Sequence, residues 1–101
     1  MRAVGIIEVF GLTTALVAAD AACKAANVVI EAFDKNKPRN ADKLPVPLLV
    51  VIKFRGSVSD VEMAIEAAER AANNVSGVHA KTIMSSPDRG IDRFIKESCI
   101  K

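Results

Sequence analysis

Tryptophan and tyrosine are absent from this 101-residue chain, and phenylalanine occurs four times. That scarcity weighs against an RNA-binding sheet, which needs strand aromatics on which bases can stack. Phe10, Phe33 and Phe54 fall at the ends of apolar runs, and no RNP-like run surrounds them. A net charge of +2 is small for a nucleic-acid binder, so no nucleic-acid partner is expected. Histidine occurs once, as His79, and no serine, cysteine or carboxylate lies near it in a triad-like pattern. His79 is therefore expected to be a strand histidine at a surface or interface, and no catalytic residue is assigned. The two cysteines, Cys23 and Cys99, make no CxxC pair, so neither a metal nor an iron–sulfur site is expected. They are read as free thiols of a reducing cytoplasm: Cys23 as a small buried residue on the inner face of a helix, Cys99 in a polar tail. No GxGxxG or Walker pattern occurs, and no cofactor is expected. The longest apolar run, residues 44–52, contains two prolines and is too short to span a bilayer. Met1-Arg2 leads directly into a strand-like run, which does not read as an export signal. No membrane partner is expected.

What is present is apolar and small. Half of the residues are hydrophobic and sixteen are alanine, so the chain can build one core of domain size. Ala3–Phe10 is β-branched and apolar, with Glu8 its only charge, and reads as a strand covered on both faces. Gly11 ends it. Residues 12–27 follow as a helix, with Thr13 or Thr14 as N-cap and an apolar stripe of Leu12, Ala15, Leu16, Ala19, Cys23 and Ala26. A second strand is expected over residues 28–33 and a third over residues 48–54. Arg55-Gly56 turns the chain, and Ser57 or Ser59 can cap a helix over residues 60–73 that buries Val61, Ala64, Ile65, Ala68 and Ala72. Its other side carries Glu62, Glu66, Glu69 and Arg70, by spacing a solvated face or, as the alternative, a lateral contact with a neighbour. Val78–Met84 is the fourth strand, and residues 88–101 read as a tail with a short amphipathic helix through Ile91, Phe94 and Ile95.

"KAANVV" after the first helix and "RAANNV" after the second echo each other, so the chain divides into two β-α-β halves. The expected fold is α+β and ferredoxin-like: one domain of βαββαβ order, a four-stranded antiparallel sheet with both helices on one face. Helices on one face leave the other bare, although the strands are apolar on both sides. That face must be covered by the tail or by another copy, and self-association is expected.

At this point the residues resemble a family. Residues 4–30, through Glu8, Gly11, Ala15, Ala18, Ala19, Asp20, Lys24, Ala26, Asn27 and Val28, are similar to the first half of the bacterial microcompartment shell domain. Arg55, Gly56, Val58, Val61, Ala64 and Ala67 resemble its strand-Arg-Gly-x-Val-helix segment, and the likeness covers roughly residues 3–87. The resemblance implies a structural protein and not an enzyme. It implies cyclic hexamers that tile edge to edge with other shell proteins, around encapsulated enzymes in the bacterial cytoplasm. It also implies that the loop between the second and third strands lines a central pore for metabolites, here through Lys35, Asn36, Lys37, Pro38, Arg39, Asn40 and Lys43. Lys24 and Asn27 would pack at the hexamer edge. Two departures stand out. The loop, residues 35–47, is longer than the family's short small-residue loop, contains no glycine and carries three prolines and an excess of basic charge. Ser86 precedes Pro87 where the family often has arginine. The alternative reading is a ligand-binding regulatory module of the same element order, which would form dimers or trimers.

Overall fold

The computed structural model describes residues 2–36 and 48–97. Four strands, β1 (Ala3–Phe10), β2 (Val29–Asn36), β3 (Leu49–Gly56) and β4 (Val78–Met84), form one antiparallel sheet in the order β2-β3-β1-β4. Helices α1 (Leu12–Ala25) and α2 (Val58–Asn73) join β1 to β2 and β3 to β4, and they pack on each other and on the sheet. A 3-10 turn, Arg89–Ile91, leads into a short third helix, α3 (Asp92–Lys96). This is the expected α+β order.

Glycine and alanine set the spacing of the layers. A Cβ built on Gly5 would lie 2.7 Å from Val61 Cγ1 and 2.8 Å from Ile65 Cγ1, so α2 rests directly on the β1 backbone. Gly5 therefore marks the helix-covered face. Ala3, Ile7 and Val9 share that face by strand alternation, and the register adds Val50, Ile52 and Phe54 of β3. All six are buried, together with Ala15, Ala18 and Ala22 of α1 and Val61, Ala64, Ile65, Ala68 and Ala72 of α2. The α2 face is the one that its spacing indicates, and Ser57 caps the helix by accepting from the Asp60 backbone N–H at 3.1 Å.

Helix α1 departs from expectation. It buries Thr14, Ala15, Ala18, Ala19 and Ala22, while Leu12 and Leu16 are exposed and Cys23 is exposed as well. The stripe is rotated because the sheet and α2 admit alanine at close approach and leave no room for leucine. Thr14 does not cap the helix. The N-cap is Gly11, at φ 90°, with no side-chain cap. Thr14 is instead buried, and its hydroxyl lies 2.6 Å from Ser76 Oγ, which itself donates to the Phe10 carbonyl at 2.6 Å. Since the Ser76 proton is committed to Phe10, Thr14 donates to Ser76. The chain ties the β1–α1 corner to the α2–β4 turn.

Strand β2 also ends later than expected. Its ladder with β3 continues through Asp34↔Val51, Lys35↔Val50 and Asn36↔Leu49, past a bulge between Ile30 and Ala32. A backbone ladder is indifferent to the charge of an edge-strand side chain, so Lys35 and Asn36 extend the strand. Strand β3 likewise runs on through Gly56, and α2 begins at Val58.

Gly5→Ala should lower stability by about 1–3 kcal/mol, because both facing side chains are β-branched and stiff in a helix. The midpoint of denaturant-induced unfolding, followed by far-UV circular dichroism, measures the change.

Candidate functional site

The two sequence motifs that carry the family likeness meet at one corner of the molecule. Helix α1 ends at Ala25, and Asn27 and Val28 lead into β2. The Asn27 backbone N–H donates to Asp60 Oδ1 at 3.3 Å, and Asp60 Oδ2 accepts from Ser57 Oγ at 2.8 Å. A Cβ on Gly56 would come within 3.0 Å of Val28 Cγ1 and 3.2 Å of the Asn27 carbonyl, so a larger residue there would press on the segment leading into β2. Lys24 projects from the last turn of α1 beside this corner, exposed, with its Nζ 2.7 Å from Asp20 Oδ2. Its hydrogen bond and ion pair with Asp20 hold its pKa above the ordinary lysine value, and the same carboxylate offsets much of its charge. Asn27 is exposed next to it.

Around this corner the surface is apolar. Val29 and Ile30 are exposed on β2, an edge strand, and Val58 is exposed at the start of α2. At the opposite edge, Ile83 on β4 is exposed too. Beside β4 lies an open hollow of about 370 Å³ lined by Ile65, Ile83 and the acidic side of α2, Glu62, Glu66 and Glu69. That side is solvated as its spacing indicates: Glu66 pairs with Arg70 at 2.9 Å, and Glu69 with Lys81 at 2.8 Å.

The second face of the sheet is defined by residues alternating with Gly5. Val4, Ile6 and Glu8 of β1 lie there, with Arg55, Lys53 and Val51 of β3 and Ala32 and Asp34 of β2. The tail covers the β2–β3 side of it. Arg55 is 6% exposed and binds Asp92 of α3 and the Arg2 carbonyl. Lys53 donates to the carbonyls of Phe94 and Glu97, both at 3.2 Å, and pairs with Asp34 Oδ2 at 2.5 Å. Ile95 is buried beneath α3. Phe94 is not: it is 56% exposed, with the Arg93 guanidinium 5.2 Å above its ring. Beyond the tail, Ile6, Glu8, Val51, Ala80 and Thr82 line a shallow, open hollow of about 190 Å³. His79 stands at its rim, edge-on to Phe10 at 5.7 Å between ring centres and 4.0 Å from Glu8. It is a half-exposed surface residue of β4, as its isolation in the sequence indicates.

Among the expected pore residues, Lys35 and Asn36 stand at the end of β2 and are exposed. Lys37, Pro38, Arg39, Asn40 and Lys43 lie outside the described residues, as does Cys99. Lys53 and Asp92 were missed by sequence reasoning. Lysine inside an apolar strand was the available signal for the first. Among the described residues no cluster of histidine, cysteine or acidic side chains could hold a metal, and no helix is long and apolar enough to cross a membrane.

A two-layer α+β tile with exposed apolar edges, and no convergent catalytic groups among the described residues, defines a protein built to adjoin others. Residues 3–87 match the BMC domain, and the chain belongs to that family. It is 33% identical over 94 residues to the bacterial microcompartment shell protein PduA of Citrobacter freundii, covering 93% of this chain and 91% of the relative. It is 32% identical over 92 residues to the carboxysome shell protein CcmK2 of Synechocystis, covering 89% of this chain and 81% of that one. A crystal structure of a microcompartments protein from Desulfitobacterium hafniense superposes with a TM-score of 0.72 over 95% of this chain and 47% of that chain, at 23% identity, which supports the fold. The chain is thus a structural shell protein and not an enzyme.

The Asp92 carboxyl is held below its ordinary value, chiefly by the hydrogen bond from Lys96; burial opposes this, and the charges of Lys96 and Arg55 add to the lowering. A lowered folded-state pKa stabilises the docked tail fully above the ordinary carboxylate range, and that contribution disappears as pH falls through the lowered value. The amide signals of α3 in two-dimensional NMR should therefore lose dispersion only below about pH 4. Asp92→Asn should loosen the tail at pH 7 and flatten that acid dependence.

Proposed function

We propose that this chain is a pore-bearing tile of a bacterial microcompartment shell. It assembles as a cyclic hexamer in the bacterial cytoplasm, tiles edge to edge with itself and other shell proteins, and encloses enzymes. The observation that carries this reading is the BMC-domain match across residues 3–87, which includes both motifs that meet at the α1–β2 corner. In the hexamer Lys24 and Asn27 pack along the outer edge. The exposed apolar residues Val29, Ile30 and Val58 supply surface to be covered between subunits. The family match favours this reading over a regulatory module of the same element order.

Lys35, Asn36, Lys37, Pro38, Arg39, Asn40 and Lys43 line the pore. Repeated six times around one axis, their basic excess favours anions over cations in a narrow opening. Prolines at 38, 45 and 47 limit the conformations of that segment.

Native mass spectrometry with electron microscopy tests the assembly. Hexamers, with sheets or tubes at higher concentration, are expected; a discrete dimer or a persistent monomer would refute the tile.

The pore is tested separately. Neutralising Lys37, Arg39 and Lys43 together should reduce the preference for anions in solute-flux measurements across assembled shells, and unchanged anion passage would remove the selectivity argument.

A further inference from the structure

Lys53 bonds to both the end of β2 and the tail helix that packs over it. Its ammonium pairs with Asp34, in the last three residues of β2, and caps the C-terminal carbonyls of α3 through Phe94 and Glu97. Its side chain is 13% exposed and that of Asp34 is 21% exposed. We propose that Lys53 is a coupling latch, through which docking of the tail helix tightens the end of β2 and displacement of the tail loosens it.

The tail supplies the two-state element. Helix α3 has five residues, far fewer than the roughly 12–15 an isolated helix needs to be even marginally stable in water. Its one buried side chain is Ile95. It is therefore helical while docked and unfolds when it leaves. Docking has two consequences at Lys53. It adds two carbonyl acceptors at the negative end of a helix, where a cation is favoured. It also excludes water from the Lys53–Asp34 pair, and a shielded pair is stronger than the same pair in water. When the tail departs, the ammonium is hydrated and its hold on Asp34 falls to that of an ordinary surface pair. The linkage is reciprocal: a better-ordered end of β2 favours the docked tail. Arg55 does not duplicate the latch. It grips the start of α3 through Asp92, and its strand partner on β2 is Val29, at the other end of that strand.

If the pore reading above holds, the coupled strand end is the one from which the pore segment departs. Displacement of the tail from the sheet would then alter the pore's rim. The coupling itself does not depend on that reading.

Amide hydrogen exchange on the full-length assembled protein tests it. Ile95→Asp, which puts a charge under α3, should abolish protection of residues 92–96 and raise exchange at residues 34–36 about fivefold or more. Asp92→Arg, which repels the tail through Arg55, is the second variant and should act alike. In a Lys53→Met background exchange at 34–36 should already be raised, and Ile95→Asp should add nothing. Unchanged exchange at 34–36 in a variant whose tail is unprotected would overturn the latch, as would an equal rise with Met at position 53. Native mass measured on the same samples reports the hexamer independently, so loss of the shell reading and loss of the latch are told apart.

Discussion

A four-stranded sheet with two helices on only one face, and with apolar side chains among charged ones on the other, places a demand on everything else in this protein. The first face is satisfied within the chain by close approach: Gly5 and the buried alanines of α1 and α2 bring the layers together, and no buried polar side-chain atom is left unsatisfied among the described residues. The second face is satisfied only in part. Helix α3 shields the β2–β3 side through Ile95, and the remainder, around Ile6 and Val51, stays open. A surface of that kind suits a protein whose neighbours complete it, and the exposed apolar side chains on both edge strands make the same demand in the plane of the sheet.

Two cations sit in strand β3 where the residue pattern suggests only packing. Arg55 and Lys53 project from the second face, and both are used to hold the tail. A charge set into an apolar strand is costly unless its partners come with it. Here the partners come from β2 (Asp34) and from a segment about forty residues further along the chain, so the sheet and the tail stabilise each other. The motif arginine thereby acquires a structural task, and the corner formed by Asn27, Gly56 and Asp60 acquires another: it fixes where Lys24 emerges.

Much of the fold was legible in the sequence. Strands β1 and β4 begin and end where their residue types say, because β-branched runs bounded by glycine, serine and proline leave little choice. Helix α2 has one apolar stripe opposed by acidic residues, so its phase was readable. Helix α1 has no such contrast. Leucine, valine, cysteine and alanine surround it, and the pattern could not say that the small residues turn inward while Leu12, Leu16 and Cys23 face out. The end of β2 was missed for a related reason: Asp34, Lys35 and Asn36 read as loop, yet an edge strand tolerates charge along its margin while the backbone ladder continues. Phe94 was placed on the buried stripe of the tail, but five residues of helix can bury one side chain and the geometry selects Ile95.

By itself the sequence determined the order of elements, their type, the antiparallel two-layer arrangement and the family, since these follow from local periodicity, from glycines that punctuate it, and from motifs of fixed spacing. Only the tertiary structure decided which alanines form the core, where the tail lies and what Lys53 and Arg55 are for. Those outcomes rest on contacts between residues separated by some forty positions, as in the 41- and 44-residue spans from Lys53 to Phe94 and Glu97. No local pattern encodes such a meeting; it exists only once the strands have paired and set two charges beneath a helix too short to stand alone.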